Sequence, residues 1–163
     1  QQTTNNKHKQ PTTNNKQPTT NNKQPTANNQ QQTTIDLAEA IQAARLAGKD
    51  RELRLFAIAC ARQVQHLMTD SRSIAALDVA ERFANWQASQ DELYAAWRDA
   101  WDVSKFSQGH TAWSAASSAA LCTSQSAADA AVGALGAALG TASWPDRRVM
   151  HAEHARLFSE MFS

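Results

Sequence analysis

RELRLFAIACARQVQHLM, residues 51–68, is the stretch from which the fold can be read. At ~100° per residue, Leu53, Phe56, Ala57, Cys60, Val64, Leu67 and Met68 fall on one stripe about 120° wide, as an amphipathic helix requires. Leu55 and Ile58 fall on the other side. A helix that is apolar on two sides needs neighbours on both. This one is therefore expected at the centre of a helical assembly, capped by Asp50, with Cys60 dry and closely packed in mid-stripe.

Reading outward gives helices in both directions. Upstream, a first helix is expected over 35–47, entered from Thr34 and closed by Gly48. Downstream, Asp70 or Ser71 starts a third. Its apolar half holds Ala76, Leu77, Val79, Ala80, Phe83, Ala84 and Trp86, and its polar half pairs Asp78 with Arg82 at i,i+4. Ser89 and Glu92 form a capping box for a fourth helix over 90–106, with Leu93, Ala96, Trp97, Ala100, Trp101 and Ser104 on one face. Gly109 breaks the pattern before an Ala/Ser-rich helix over 111–122. Ser126 with Asp129 caps another to Leu139, Gly140–Asp146 reads as a loop, and a last helix runs over 146–162. Met150, His154, Leu157, Phe158 and Met161 form its stripe. The expected fold is all-α, a bundle of about seven helices with short connections. The small residues of 110–142 bury little area each, which predicts the least secured segment.

The composition divides the 163-residue chain in two. Residues 1–34 hold no acid and no large apolar residue, and read QPTTNNK at 10–16 and 17–23 and QPTANNQ at 24–30. The period of seven is not a coiled-coil heptad, because no position is apolar and each unit carries a proline. A seven-nucleotide DNA repeat, CAACCAA, read through three frames encodes QPTTNNQ, so a translated tandem repeat is the expected origin of the period, and a spacer whose length matters is the rival reading. Such a tail cannot bury enough surface to offset chain entropy, so residues 1–33 are expected to be disordered and 34–163 to form the alanine-rich helical domain. The domain carries 12 basic and 15 acidic residues against the tail's four lysines, which argues against a nucleic-acid partner. The longest low-charge run, Ala130–Trp144, is too short to span a bilayer, so no membrane association is expected. Cys60 and Cys122 lie in apolar helical context and read as free thiols. The first residue is Gln1 and not Met, as in a fragment or a processed product.

No motif carries chemistry. There is no glycine-rich phosphate loop followed by Lys, no GxSxG, HExxH or CxxC, and no Glu followed three residues on by His. His151 and His154, one turn apart, are the best metal pair, given a third ligand from Cys60, His66 or an acid; packing or helix capping is the plainer role. Tyr94, Trp97, Trp101 and Trp113 read first as core and second as an aromatic binding platform. Arg147 and Arg148 sit at a helix N-terminus, where positive charge is disfavoured, a hint of an anion or partner.

Residues 50–93, DRELRLFAIACARQVQHLMTDSRSIAALDVAERFANWQASQDEL, resemble a segment recurrent in uncharacterised planctomycete-type bacterial proteins that read "RKLRLFA-ACxR…LLTDERS…AVEVAERFADG…SxEEL" before an alanine-rich helical stretch. HAEHARLFSEMF at 151–162 is similar to the place where those proteins read "LLRDIFGNPF". The chain departs in having one cysteine, Cys60, where a pair is common, and in ending before any "GNPF". The resemblance implies a bacterial, cytoplasmic protein with a further C-terminal domain, and brings no activity, cofactor or catalytic residue. The expectation is a non-enzymatic structural or protein-interaction module; the alternative is a small-molecule or metal-binding bundle using His151 and His154.

Overall fold

The computed structural model describes residues 27–163, and these form seven α-helices with no strand. They are α1 (Ala27–Leu46), α2 (Asp50–Gln63), α3 (Ser71–Ala84), α4 (Gln90–Phe106), α5 (His110–Cys122), α6 (Ala127–Gly140) and α7 (Trp144–Phe162), with a 3-10 turn at Gln65–Leu67. The all-α, seven-helix expectation is met. The repeats expected to be disordered lie outside the described residues up to position 26, while 27–33 are the start of α1. Once Leu37, Ile41 and Ala44 anchor that helix in the core, each residue added at its N-terminus gains a hydrogen bond without a new nucleus. Gln is a good helix former, and no proline follows Pro25 before α1 ends.

Asp50 is not the cap expected of it: it is the first residue of α2, whose N-cap is Lys49 with no side-chain hydrogen bond. The other capping residues read from sequence perform as caps. Asp70 accepts from the Arg72 N–H, Ser126 from the Asp129 N–H, and Ser89 and Glu92 close a reciprocal capping box. α1 starts at Ala27, so Thr34 lies within it and is not its entry. Two further boundaries move. The second helix ends at Gln63, so Leu67 lies in the 3-10 turn and Met68 beyond it, although Met68 is still buried. The last helix starts at Trp144, with Pro145 in its first turn, where proline's missing N–H costs nothing.

α2 divides the core. On one side Ala57, Ile58, Ala61 and Val64 pack with Leu77, Leu93, Ala115, Ala119 and Ala134. On the other, Leu53, Phe56 and Cys60 pack with Leu37, Ile41, Ala131, Leu135 and Phe158. Phe56 and Phe158 meet edge to face at 5.2 Å, a favoured aromatic geometry. The central position expected for residues 51–68 is therefore where α2 sits.

α5 and α6, the small-residue helices, are deeply buried: Ala115, Ala119, Ala120, Ala130, Ala131, Ala134 and Ala138 have no exposed surface. Small side chains let two backbones approach closely enough to bury nearly everything between them. The approach is tight at Gly133, where a Cβ would lie 2.9 Å from Leu121. No helix among the described residues is long and apolar enough to cross a membrane.

Two expected details are corrected. Asp78 does not pair with Arg82. It reaches Arg62 of α2 at 3.1 Å, while Arg82 turns to Glu92 of α4 at 3.1 Å, so both pairs link neighbouring helices. Trp86 is not on the apolar face of α3. It follows the helix with φ 61° and is 85% exposed. The Gln87 N–H bonds the Arg82 carbonyl at 2.7 Å and the Trp86 N–H bonds that of Phe83 at 3.1 Å. This is a Schellman stop with a tryptophan in the left-handed position that glycine ordinarily takes.

Candidate functional site

Tyr94, Trp97 and Trp101 occur at i, i+3 and i+7 on α4, and helical geometry brings them into one row. Tyr94 and Trp97 stack with centroids 5.7 Å apart and planes 23° apart; Trp97 and Trp101 stack at 6.1 Å and 13°. The row is not core. Tyr94 is 51% exposed and Trp101 38%, and Trp113 on α5 is 50% exposed. The core reading is thus overturned for Tyr94, Trp101 and Trp113, while Trp97 is half-buried. α4 buries Leu93, Ala100, Val103 and Ser104 instead. Where α3, α4 and α5 meet, Ala76, Ala100 and Ala120 touch, and alanines at the contact hold the helices too close for an indole. The large rings are displaced to the flank.

That flank borders a cleft of about 270 Å³, lined by Tyr94 and Trp97 on one wall and Thr123, Ser124 and Gln125 on the other. The second wall is the α5–α6 connection, and a buried cation fixes it. Arg54 of α2 is only 3% exposed. Its Nη1 donates to the carbonyls of Cys122 and Ser124 at 2.8 Å each, and its Nη2 to that of Gln125 at 3.2 Å. Its guanidinium also lies 5.1 Å over the Phe83 ring, within cation–π range. Burial lowers the Arg54 pKa, countered by Cys122 and Asp50. The charge is met by carbonyls at the C-terminus of α5, the negative end of the helix dipole. Thr123 turns its hydroxyl to the Ala120 carbonyl at 2.7 Å. Neither the Ser124 hydroxyl nor the Gln125 amide bonds another described residue.

The structure places His151 and His154 on α7, as expected, with His154 fully buried. Neither ring nitrogen of His154 has a hydrogen-bond partner, and burial, with His151 nearby, holds its pKa down to about 4. Burial also lowers that of His151. No group of three His, Cys, Asp or Glu side chains able to hold a metal occurs among the described residues. Cys60 and Cys122 are free and fully buried. Burial pushes the Cys122 thiol up to about 12 and the Cys60 thiol up as well, so both are poor nucleophiles. Arg147 and Arg148 are exposed, and Arg147 bonds the Ala142 carbonyl at 3.4 Å.

No family model matches the chain, and neither a curated protein nor a solved structure shows significant similarity to it. The aromatic row and its cleft therefore carry the functional argument. Arg54 carries no sequence signal, since nothing distinguishes it from Arg51 and Arg62 of the same helix as the one that backbone carbonyls will receive. The exposure of Trp86 has no sequence signal either, because only its backbone φ shows that the helix has ended.

Proposed function

We propose that this chain is a non-enzymatic helical interaction module, and that its recognition surface is the Tyr94–Trp97–Trp101 row with the adjoining cleft. One observation carries the reading: a stacked aromatic row stands half in solvent while alanines fill the core position beneath it. Large exposed aromatics with a polar handle are characteristic of binding surfaces. Both thiols are buried with raised pKa values and His154 is enclosed without a hydrogen-bond partner, so these three side chains serve packing. Two free cysteines suit a reducing, cytoplasmic compartment. A metal-binding use of His151 and His154 has no supporting third ligand among the described residues.

The reading requires that the row be dispensable for folding. Tyr94→Ala and Trp101→Ala should each cost less than about 1.5 kcal/mol, the worth of a lost aromatic contact. An aromatic that anchors the fold costs about 3–5 kcal/mol on truncation to alanine. Chemical denaturation of the two variants distinguishes these cases, and a loss of the larger size in either overturns the reading.

A further inference from the structure

We propose that the cleft binds one neutral pyranose ring, packed by its C–H face against the half-exposed ring of Tyr94 beside Trp97 and hydrogen-bonded through its hydroxyls to Ser124 and Gln125. The inference rests on the reading of the α4 row as a recognition surface, and names its ligand class. Two features of the site converge on it.

The first is the pairing of walls. One is aromatic; the other offers a hydroxyl and a primary amide with no partner among the described residues. A pyranose has the matching asymmetry, with an apolar C–H face and a rim of hydroxyls that both donate and accept. Ser hydroxyl and Gln amide likewise do both. At about 270 Å³ the cleft lies just under the range of drug-sized sites, so it takes one ring and not a chain.

The second is charge. Arg54, the buried cation behind the α5–α6 connection, has its donors directed at three backbone carbonyls, and Arg98, one turn on from Tyr94, lies 3.7 Å from Asp99. Asp91 lies in the first turn of α4, one turn before Tyr94. A phosphate or carboxylate would find these cations already engaged and would meet the charge of Asp91. An extended peptide is disfavoured for a different reason. It would pair its N–H groups with loop carbonyls, and those of Cys122, Ser124 and Gln125 already accept from Arg54.

Titration of the full chain with methyl glucoside, methyl galactoside, methyl mannoside and N-acetylglucosamine tests the proposal. Tryptophan fluorescence and the amide resonances of Ser124 and Gln125 report binding, with glucuronate and adenosine as competitors. At least one neutral glycoside should bind saturably with a Kd of about 1–10 mM, as expected of a small shallow site. Tyr94→Ala and Gln125→Ala should each weaken it about fivefold or more, the equivalent of one lost hydrogen bond or stacking contact. Far-UV circular dichroism of both variants confirms that they are folded. Three results overturn the proposal: no saturable binding of any of the four glycosides up to ~50 mM, binding unaltered in both folded variants, or preference for glucuronate or adenosine. None of these bears on the stability of Tyr94→Ala and Trp101→Ala, so the ligand class can fail while the recognition surface stands.

Discussion

Arg54→Met isolates what the buried guanidinium does for the domain. Methionine retains a long apolar stem in a position only 3% exposed, so packing is largely kept. What is lost is the set of three hydrogen bonds to Cys122, Ser124 and Gln125 and the contact over Phe83. Hydrogen bonds from a charged donor are worth about 1.5–3 kcal/mol each. They do not add here, because two share one nitrogen and all three hold one loop. Removing one partner of a buried ionic arrangement costs about 3–5 kcal/mol. Against this stands the relief of the cation's own desolvation, visible in its lowered pKa. The net expectation is a loss of about 3 kcal/mol for Arg54→Met. Arg54→Ala adds a cavity and should lose about 4–5. Arg54→Lys keeps the charge but loses the fork geometry and should lose about 2. Urea unfolding followed by far-UV circular dichroism measures the series, with a lower midpoint at unchanged slope as the sign of a pure stability change. A loss below about 1 kcal/mol for Arg54→Met would refute the view that this side chain secures the α5–α6 connection.

Three further predictions rest on single positions. Trp86→Gly removes a side chain from a left-handed position that costs non-glycine residues about 1–2 kcal/mol; after glycine's extra entropy the variant should gain about 0.5 kcal/mol, and a lower melting temperature would contradict the Schellman assignment. Gly136→Ala meets nothing within 4 Å and should stabilise α6 by about 0.5–1 kcal/mol; Gly133→Ala must push Leu121 aside and should not, so equal gains in thermal denaturation would count against the tight seam. His154 has a folded pKa of about 4, below its unfolded value of 6.5, so the unfolded chain takes up the proton first. Stability from the neutral ring is full above pH 6.5 and declines as pH falls toward 4, by about 3 kcal/mol at most. His154→Leu should flatten that part of the pH profile, and an unchanged profile would show that His154 is not its source.

Much of the fold was legible because helix signals are local. The stripe in residues 51–68, the Ser89–Glu92 box and the Ser126 cap each need only a few neighbouring residues to be recognised, and each is present in the structure. The candidate site was only half legible. On a helical wheel, Tyr94, Trp97 and Trp101 fall roughly 40–100° to one side of Leu93, while Ala96, Ala100 and Val103 lie on the other. The flank was thus visible, but large rings outweighed small ones in deciding which side faced the core. The answer depends on the alanines that α3 and α5 bring from elsewhere in the chain, Ala76 and Ala120. The second wall of the cleft depends on Arg54, almost seventy residues away from the loop it holds. Neither is a pattern within one segment.

The alanine seam between α5 and α6 also shapes how the domain responds to temperature. The heat capacity of unfolding follows the apolar area newly exposed, and each methyl group in this seam contributes little. Close packing supplies contact there without much hydrated surface to recover. The heat-capacity increment per residue should therefore fall below the usual ~12–15 cal/mol/K. A smaller increment flattens the stability curve, so the domain's folding free energy should vary gently over a wide span of temperature and persist toward the cold, where cores built on large side chains lose their advantage.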